Sequence, residues 1–266
     1  MTIVMGVLNV TPDSFSDGGR HDDAEAAVAH GRLLASQGAG IVDVGGESTR
    51  PGAARVPEAE EMARVIPVIA ALAAHGITCS VDTMRASVAR AAVAAGARIV
   101  NDVSGGLADP DMLSTVADLG VDYVAMHWRG HSEVMQQHTD YTDVVTDVFA
   151  ELAARRDAAL AAGITAERII LDPGIGFAKT SEQNWQLLRG LDTFQAMGHR
   201  LLIGVSRKRF LGELLGDTPA ADRDAATAAV TTWCAIHGIW AVRTHEVTAQ
   251  RDAARVGQRL GNRAAG

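Results

Sequence analysis

A short apolar run that stops at a polar residue and is followed by a helical stretch recurs along the whole chain. The runs are Ile3 to Leu8, Ile41 to Val44, Ile77 to Val81, Arg98 to Val100, Tyr123 to Met126, Arg168 to Leu171, Leu201 to Val205 and Trp240 to Val242. Continuous apolar runs mark strands covered on both faces, as in parallel sheets. About eight β-α units of roughly 30 residues each predict a single (β/α)8 TIM barrel, with any active site at the C-terminal ends of the strands. A doubly wound open sheet is the alternative. It ranks lower because no GxGxxG follows the first strand and eight is a natural number for closure.

The connecting segments carry helix signals. Helices are expected at about Asp23 to Ser36, ended by Gly38, and at Pro57 to Ala74. Acids such as Glu60 and Glu61 in the latter's first turns read most simply as solvated partners of the helix dipole. A third helix spans about Ala86 to Ala95. Asp109-Pro110 reads as an N-cap with proline at the first helical position. Val145, Val148, Phe149 and Leu152 have i, i+3, i+4, i+7 spacing. Thr180 and Gln183 stand in capping-box positions ahead of a helix at Ser181. A short helix follows SRKR, and longer ones run from about Asp224 to His237 and from Thr248.

With 266 residues, 47% of them hydrophobic, and no linker or low-complexity tract, the chain reads as one domain over 1–266. A net charge of −8 argues against a generic nucleic-acid or acidic-membrane binder, so an anionic substrate would need local arginines. Cys79 and Cys234 have no zinc or redox spacing and read as buried free thiols. MTIVMGVLNV lacks a basic region and a cleavage site, and reads as a strand rather than a signal. The most apolar stretch, Val65 to Ala74, is too short for a bilayer and contains Pro67. A soluble, cytoplasmic protein is expected.

In a closed barrel the strand ends converge on one mouth. They hold Asn9, Asp43, Asp82, Asn101, His127, Asp172, Ser206 to Lys208, and Arg243 with His245. After the second strand comes DVGGESTRPG, where Gly-Gly lets backbone approach a ligand and Arg50 offers a planar charged fork. Arg50, Lys208, Arg243 and His245 suit a phosphate-like group. Asn9 can give an oxygen to Mg²⁺, an ion that keeps waters and shares substrate phosphates. Asp82, Asn101 and Asp172 offer acceptors and an amide; a carboxylate such as Asp172 suits a heterocycle with adjacent N–H donors. From the residues alone, the barrel binds a polar heteroaromatic compound carrying phosphate, and the reaction stays open.

The segments NVTPDSFSDGG from Asn9, DVGGESTRPG from Asp43, SVDT from Ser80, NDVSGG from Asn101, DPGIGFAK from Asp172 and GVSRKRFLG from Gly204 resemble dihydropteroate synthases. The likeness runs from the first strand to the last, and MHWRG and SRKRFLG are most similar to actinobacterial members. The resemblance implies condensation of 6-hydroxymethyl-7,8-dihydropterin pyrophosphate with p-aminobenzoate, giving 7,8-dihydropteroate and pyrophosphate. It implies that Asp82, Asn101, Asp172 and Lys208 bind the pterin. Asn9 would hold Mg²⁺ and pyrophosphate, with Arg50, Arg243 and His245 on the leaving pyrophosphate. Phe15, Thr49 and Pro51 would lie near the p-aminobenzoate ring, and Lys208 with Arg209 beside its carboxylate. Asp82, Lys208, Arg243 and His245 are the implied catalytic set. Pyrophosphate would leave first, stabilised electrostatically, and the arylamine would attack the cationic pterin methylene. The loops at Asn9 and Asp43 would exclude water. Sulfonamides would compete with p-aminobenzoate, and a homodimer is implied.

Two departures stand out. Arg243-Thr244-His245-Glu246 replaces the family's common Arg-Val-His-Asp, and the loop after His127 lacks a frequent proline. Two rivals keep the barrel: a methyltetrahydrofolate-type methyltransferase, which would not require TPDSFSDGG, Arg50 or the SRK and RTH ends, and a paralogue that binds a pterin or a partner without turnover. His127, His131 and His138 read as packing or solvated histidines rather than a metal site. Trp185, Trp233 and Trp240 read as core or interface residues. GVSRK is neither a nucleophile elbow nor a P-loop.

Overall fold

The computed structural model describes residues 1–11, 20–47, 55–131 and 137–261. Eight parallel strands form a closed barrel in sequence order. The chain runs β1 (Ile3–Asn9), α1 (Arg20–Gln37), β2 (Ile41–Gly45), α2 (Glu58–Ala74), β3 (Cys79–Asp82), α3 (Ala86–Ala94), β4 (Ile99–Asp102), α4 (Met112–Leu119), β5 (Asp122–Met126) and α5 (Val144–Ala161). It continues with β6 (Ile169–Asp172), α6 (Ser181–Arg189), α7 (Leu191–Gln195), β7 (Arg200–Ile203), α8 (Arg209–Leu214), α9 (Asp224–Ile236), β8 (Ala241–Thr244) and α10 (Val247–Gly261). β8 returns to β1 with Met5 opposite Arg243, which closes the ring.

Two separate apolar clusters follow from the two-residue period of a strand. One lies between strands and helices, with Leu8, Val42, Val44, Val81, Val100 and Leu171 packed on residues such as Leu34, Ile69 and Leu72. The other comes from strand residues alone: Met5, Ile41, Ile99, Val124, Ile170, Leu202 and Ala241. This second set fills the barrel as a floor. Two positions further along the same strand faces stand Asp43, Asn101, Asp172 and Arg243. The pleat that lays an apolar floor therefore also turns these polar side chains into the mouth.

Packing of the first helix depends on one glycine. A Cβ on Gly31 would fall 2.8 Å from Leu72 Cδ1, so glycine there lets α1 sit against α2 without displacing the Leu72 side chain. Among the described residues, no helix is long and apolar enough to cross a membrane. Cys79 and Cys234 are free, buried thiols, each pushed up in pKa by burial.

The element order agrees with the sequence reading, with instructive exceptions. Asp109 serves two helix starts. Its Oδ1 accepts from Asp111 N at 3.0 Å, in the turn that leads into α4, and its Oδ2 accepts from Ala86 N at 2.8 Å, at the start of α3. One carboxylate thus also satisfies an orphan donor of the neighbouring helix. Glu61 is not solvated: it is buried, accepts from Thr83 Oγ1 at 2.6 Å and pairs with Arg85. Arg85 also bonds Glu47 at 3.0 Å, joining α2 to the loop after β2. The helix dipole argument placed Glu61 correctly in the first turn but could not see which side faced the barrel. The capping box of Thr180 and Gln183 is present in full.

Candidate active site

The C-terminal mouth opens into a cavity of about 1130 Å³, whose lining includes Asn9, Asn101, Asp172, Lys208, Arg243 and His245. That is room for two small substrates side by side. Asn9 ends β1, Asn101 lies in β4, Asp172 ends β6, and Arg243 lies in β8. Lys208 and His245 stand just beyond β7 and β8.

Arg243 organises one side. Its Nε donates to Asp43 Oδ2 at 2.6 Å and its Nη2 to Asp82 Oδ2 at 2.7 Å. Burial disfavours the guanidinium charge, but Asp43 and Asp82 more than offset this, and its pKa ends raised. Asn101 Nδ2 donates to the same Asp43 oxygen at 3.0 Å. The Asn101 amide is thereby turned so that its oxygen remains as an acceptor. Asp82 is raised in pKa, first by burial and then by Asp43, with Arg243 opposing. Arg243 thus serves two buried carboxylates as well as lining the cavity. Asp43, which the sequence placed at the mouth without a role, is the residue that sets both Arg243 and Asn101.

On the opposite side the β6–α6 loop folds around Asp172. Gly174 N donates to Asp172 Oδ1 at 2.7 Å, and His127 N to Asp172 O at 2.9 Å. A Cβ on Gly174, at φ +68°, would lie 2.5 Å from His127 O, so this turn excludes side chains. Burial raises the Asp172 pKa while Lys208, the Gly174 N–H, Lys179 and Arg243 oppose it. Lys208 donates to Ile175 O, and its Nζ lies 4.4 Å from the Phe177 ring centroid. Burial lowers the Lys208 pKa to about 8, with Asp172 opposing. A flat heterocycle entering here would meet a carboxylate, an amide oxygen and a cation together.

The left-handed residue Arg207, at φ +59°, shapes the β7 end. Its guanidinium is held by both oxygens of Asp224, at 2.8 and 2.7 Å. Ser206 Oγ contacts His245 Nδ1 at 3.0 Å and accepts from His245 N at 3.1 Å. Thr244 Oγ1 reaches Ser206 Oγ at 3.2 Å. The departure at Thr244 therefore adds a hydroxyl beneath His245. Glu246 is a cap: its carboxylate accepts from Thr248 N and Ala249 N at 2.9 and 2.8 Å.

Arg209 is an exposed residue paired with Glu213 at 2.5 Å, one turn along α8 at the cavity rim. Phe15, Thr49, Arg50 and Pro51 lie outside the described residues. His127 is buried against Lys179 and Glu151, and His138 is exposed. Trp185 packs edge-on against Phe210, and Trp240 lies beneath Arg200. Sequence reasoning left Lys179 without a role, since a lysine in a Gly-rich loop reads as a surface residue. The signal available was its place at the end of DPGIGFAK, immediately before the capping box.

Comparisons with known proteins identify the class of protein. The chain belongs to the pterin-binding enzyme family, whose model matches residues 5–245. Among its relatives are proteins named dihydropteroate synthase. That of the actinobacterium Mycobacterium leprae is 53% identical over 259 residues, covering 95% of this chain and 91% of that protein. The Xanthomonas albilineans dihydropteroate synthase with 4-aminobenzoic acid superposes with a TM-score of 0.91 at 47% identity, over 98% of this chain and 93% of that one. A structure of the same enzyme with 7,8-dihydropteroate gives 0.88 at 45% identity, over 98% and 94%. The Yersinia pestis synthase in a sulfonamide complex gives 0.91 at 39% identity, over 97% and 94%.

Proposed function

We propose that this chain is a dihydropteroate synthase, joining 6-hydroxymethyl-7,8-dihydropterin pyrophosphate to p-aminobenzoate with release of pyrophosphate. The observation that carries this reading is the convergence of Asp172, Asn101 and Lys208 in one cavity with Arg243 and His245. Its support is the similarity, over nearly the whole chain, to synthases of known name. A methyltransferase would have no use for the cationic end of this cavity.

In this reading the pterin's amino and ring N–H groups donate to Asp172, and the Asn101 oxygen accepts from the neighbouring edge. Lys208 packs over the ring against Phe177. Arg243, His245 and Asn9 receive the pyrophosphate, with Arg50 from the loop beyond. The protein's share of catalysis is electrostatic: cations meet the charge that grows on the leaving oxygen, and Asp82 lies near the cationic methylene left behind. p-Aminobenzoate enters from the rim, its carboxylate towards Lys208 and Arg209 and its ring near Phe15, Thr49 and Pro51. Sulfonamides compete for the same place.

Mg²⁺ fits this mouth only as an ion shared with substrate. Among the described residues no three His, Cys, Asp or Glu side chains are grouped to hold a metal. Asn9 Oδ1 stands at the mouth, 3.8 Å from where a Cβ on Gly45 would lie, while Asp82 Oδ2 nearby already accepts from Arg243. Such a sparse oxygen set suits an ion that takes most of its ligands from water and phosphate. Asn9 would hold it, and its chemistry there is to neutralise pyrophosphate charge.

The reading extends to one domain over 1–266, to the cytoplasm, and to a homodimer. For the dimer the support is the apolar surface of α9 and α10, where Trp233, Ile236, Val256 and Leu260 are 42%, 37%, 55% and 62% exposed. The decisive experiment measures Mg²⁺-dependent pyrophosphate release with and without p-aminobenzoate, for the parent and Asp172→Asn. Release that requires the arylamine, yields dihydropteroate and collapses in the variant is expected. Dihydropterin binding without turnover would favour the non-catalytic paralogue, and absence of binding would overturn both.

A further inference from the structure

Lys179 is a buried cation that the reading above does not use. Its side chain turns back beneath the β6–α6 loop, where Nζ meets Gly174 O at 3.0 Å, Phe177 O at 2.9 Å and His127 Nδ1 at 3.0 Å. An ammonium has three donors and no acceptor, so the set is matched and His127 Nδ1 is the acceptor. The His127 proton then sits on Nε2, which donates to Glu151 Oε2 at 2.9 Å. Arg129 binds both Glu151 oxygens and lies 3.8 Å over the Tyr141 ring. Tyr141 in turn donates to Ala178 O at 3.0 Å.

These contacts surround the loop that begins at Asp172. Ala178 is held at φ +49°, a conformation that costs a residue with a Cβ and persists only where surroundings impose it. Lys179 from beneath, Tyr141 at Ala178 O and Lys208 at Ile175 O impose it here. The charges matter as much as the geometry. Burial drives the Lys179 pKa down to about 7 and the Asp172 pKa up, and each group opposes the shift of the other. Lys208 and Arg243 also favour the Asp172 carboxylate, from the β7 and β8 ends; Lys208 and Arg129 disfavour the Lys179 charge, while Glu151 favours it.

We propose that Lys179 is a positioning residue for Asp172: it fixes the loop that aims the carboxylate into the cavity and keeps that carboxylate ionised when a pterin shuts out water. This rests on Asp172 being a pterin contact. Loss of the Lys179 charge leaves Asp172 to take up a proton at higher pH, and a protonated acid is a poor acceptor for two parallel N–H groups.

The test is calorimetric binding of a dihydropterin to the full-length protein from pH 5.5 to 8.5, for the parent, Lys179→Met, Lys179→Arg and Asp172→Asn. Lys179→Met should bind about tenfold more weakly at pH 7, and its affinity should fall further towards acid pH more steeply than the parent's. Lys179→Arg keeps the charge and loses the three-fold fit, so its affinity should drop while its pH profile stays parental. Parental affinity and profile in Lys179→Met would overturn the proposal, as would a loss equal at every pH, the mark of a brace alone. Should Lys179→Met fail to unfold cooperatively, Lys179→Arg decides, and an acid-sensitive profile there overturns the proposal. Parental binding in Asp172→Asn would instead overturn the pterin assignment of Asp172 on which the proposal stands.

Discussion

Arg243 and Asp43, 200 residues apart in the chain, are joined by a 2.6 Å hydrogen bond at the barrel mouth. The same guanidinium bonds Asp82, so one cation is shared by two buried acids. Arg243→Met would strand both carboxylates, and a broken buried pair costs roughly 3–5 kcal/mol. Urea unfolding at pH 7 should register a loss of that order. The loss should shrink at pH 5, where Asp82, raised in pKa by burial, takes up a proton in the folded state. A loss below about 1 kcal/mol at pH 7 would show that water already screens the trio.

Acid should attack the His127–Glu151 pair in two stages. Burial and Lys179 lower His127 to about 4, so between there and 6.5 the unfolded chain binds a proton that the folded one refuses. Stability therefore falls as pH drops through that window. Glu151, lowered to about 2 chiefly by its bond from His127, adds a second loss between 4.5 and 2. Urea midpoints measured across pH should show both stages, and His127→Gln should remove the first and shrink the second. An unchanged first stage in that variant would assign it to other groups.

Glu246 should matter to stability and not to chemistry. Its two bonds cap α10, and an N-cap is worth about 1 kcal/mol. Glu246→Ala should lose that amount in denaturant unfolding with kcat and KM intact, while Glu246→Asp should retain it. A rise in KM for the pterin pyrophosphate in Glu246→Ala would mean the cap also sets His245.

Ser206 supports His245 through Nδ1. Ser206→Ala should reduce kcat/KM by roughly two- to tenfold, the worth of one neutral hydrogen bond. Thr244→Val removes only the outer hydroxyl and should cost less. Steady-state kinetics with the pterin pyrophosphate varied would check the order, and a larger loss in Thr244→Val would reverse the assignment of which hydroxyl orients the ring.

The barrel was legible because the strands are continuous apolar runs punctuated by glycine, and the polar strand ends marked the mouth. Side-chain pairing across the ring was not legible. Nothing local to Asp43 or Arg243 announces a partner on the far side of β1, and Lys179 gives no sign that its side chain curls inward. Asp109 shows the same limit on a smaller scale: the motif signalled its bond to Asp111 N, but not the second donor, which belongs to the neighbouring helix. Register fixed which face each residue takes, and tertiary contacts alone chose the partner.

The guanidinium shared by β2 and β3 is carried by β8, which leaves the ribosome after the other seven strands of the barrel. A nascent chain that has emerged only through its seventh strand holds two acids without their counterion. Its ring also lacks the pairing of β8 with β1 and β7. β8 thus delivers both the closing stave and the missing charge, so a chain interrupted before it has neither a sealed barrel nor the guanidinium between Asp43 and Asp82.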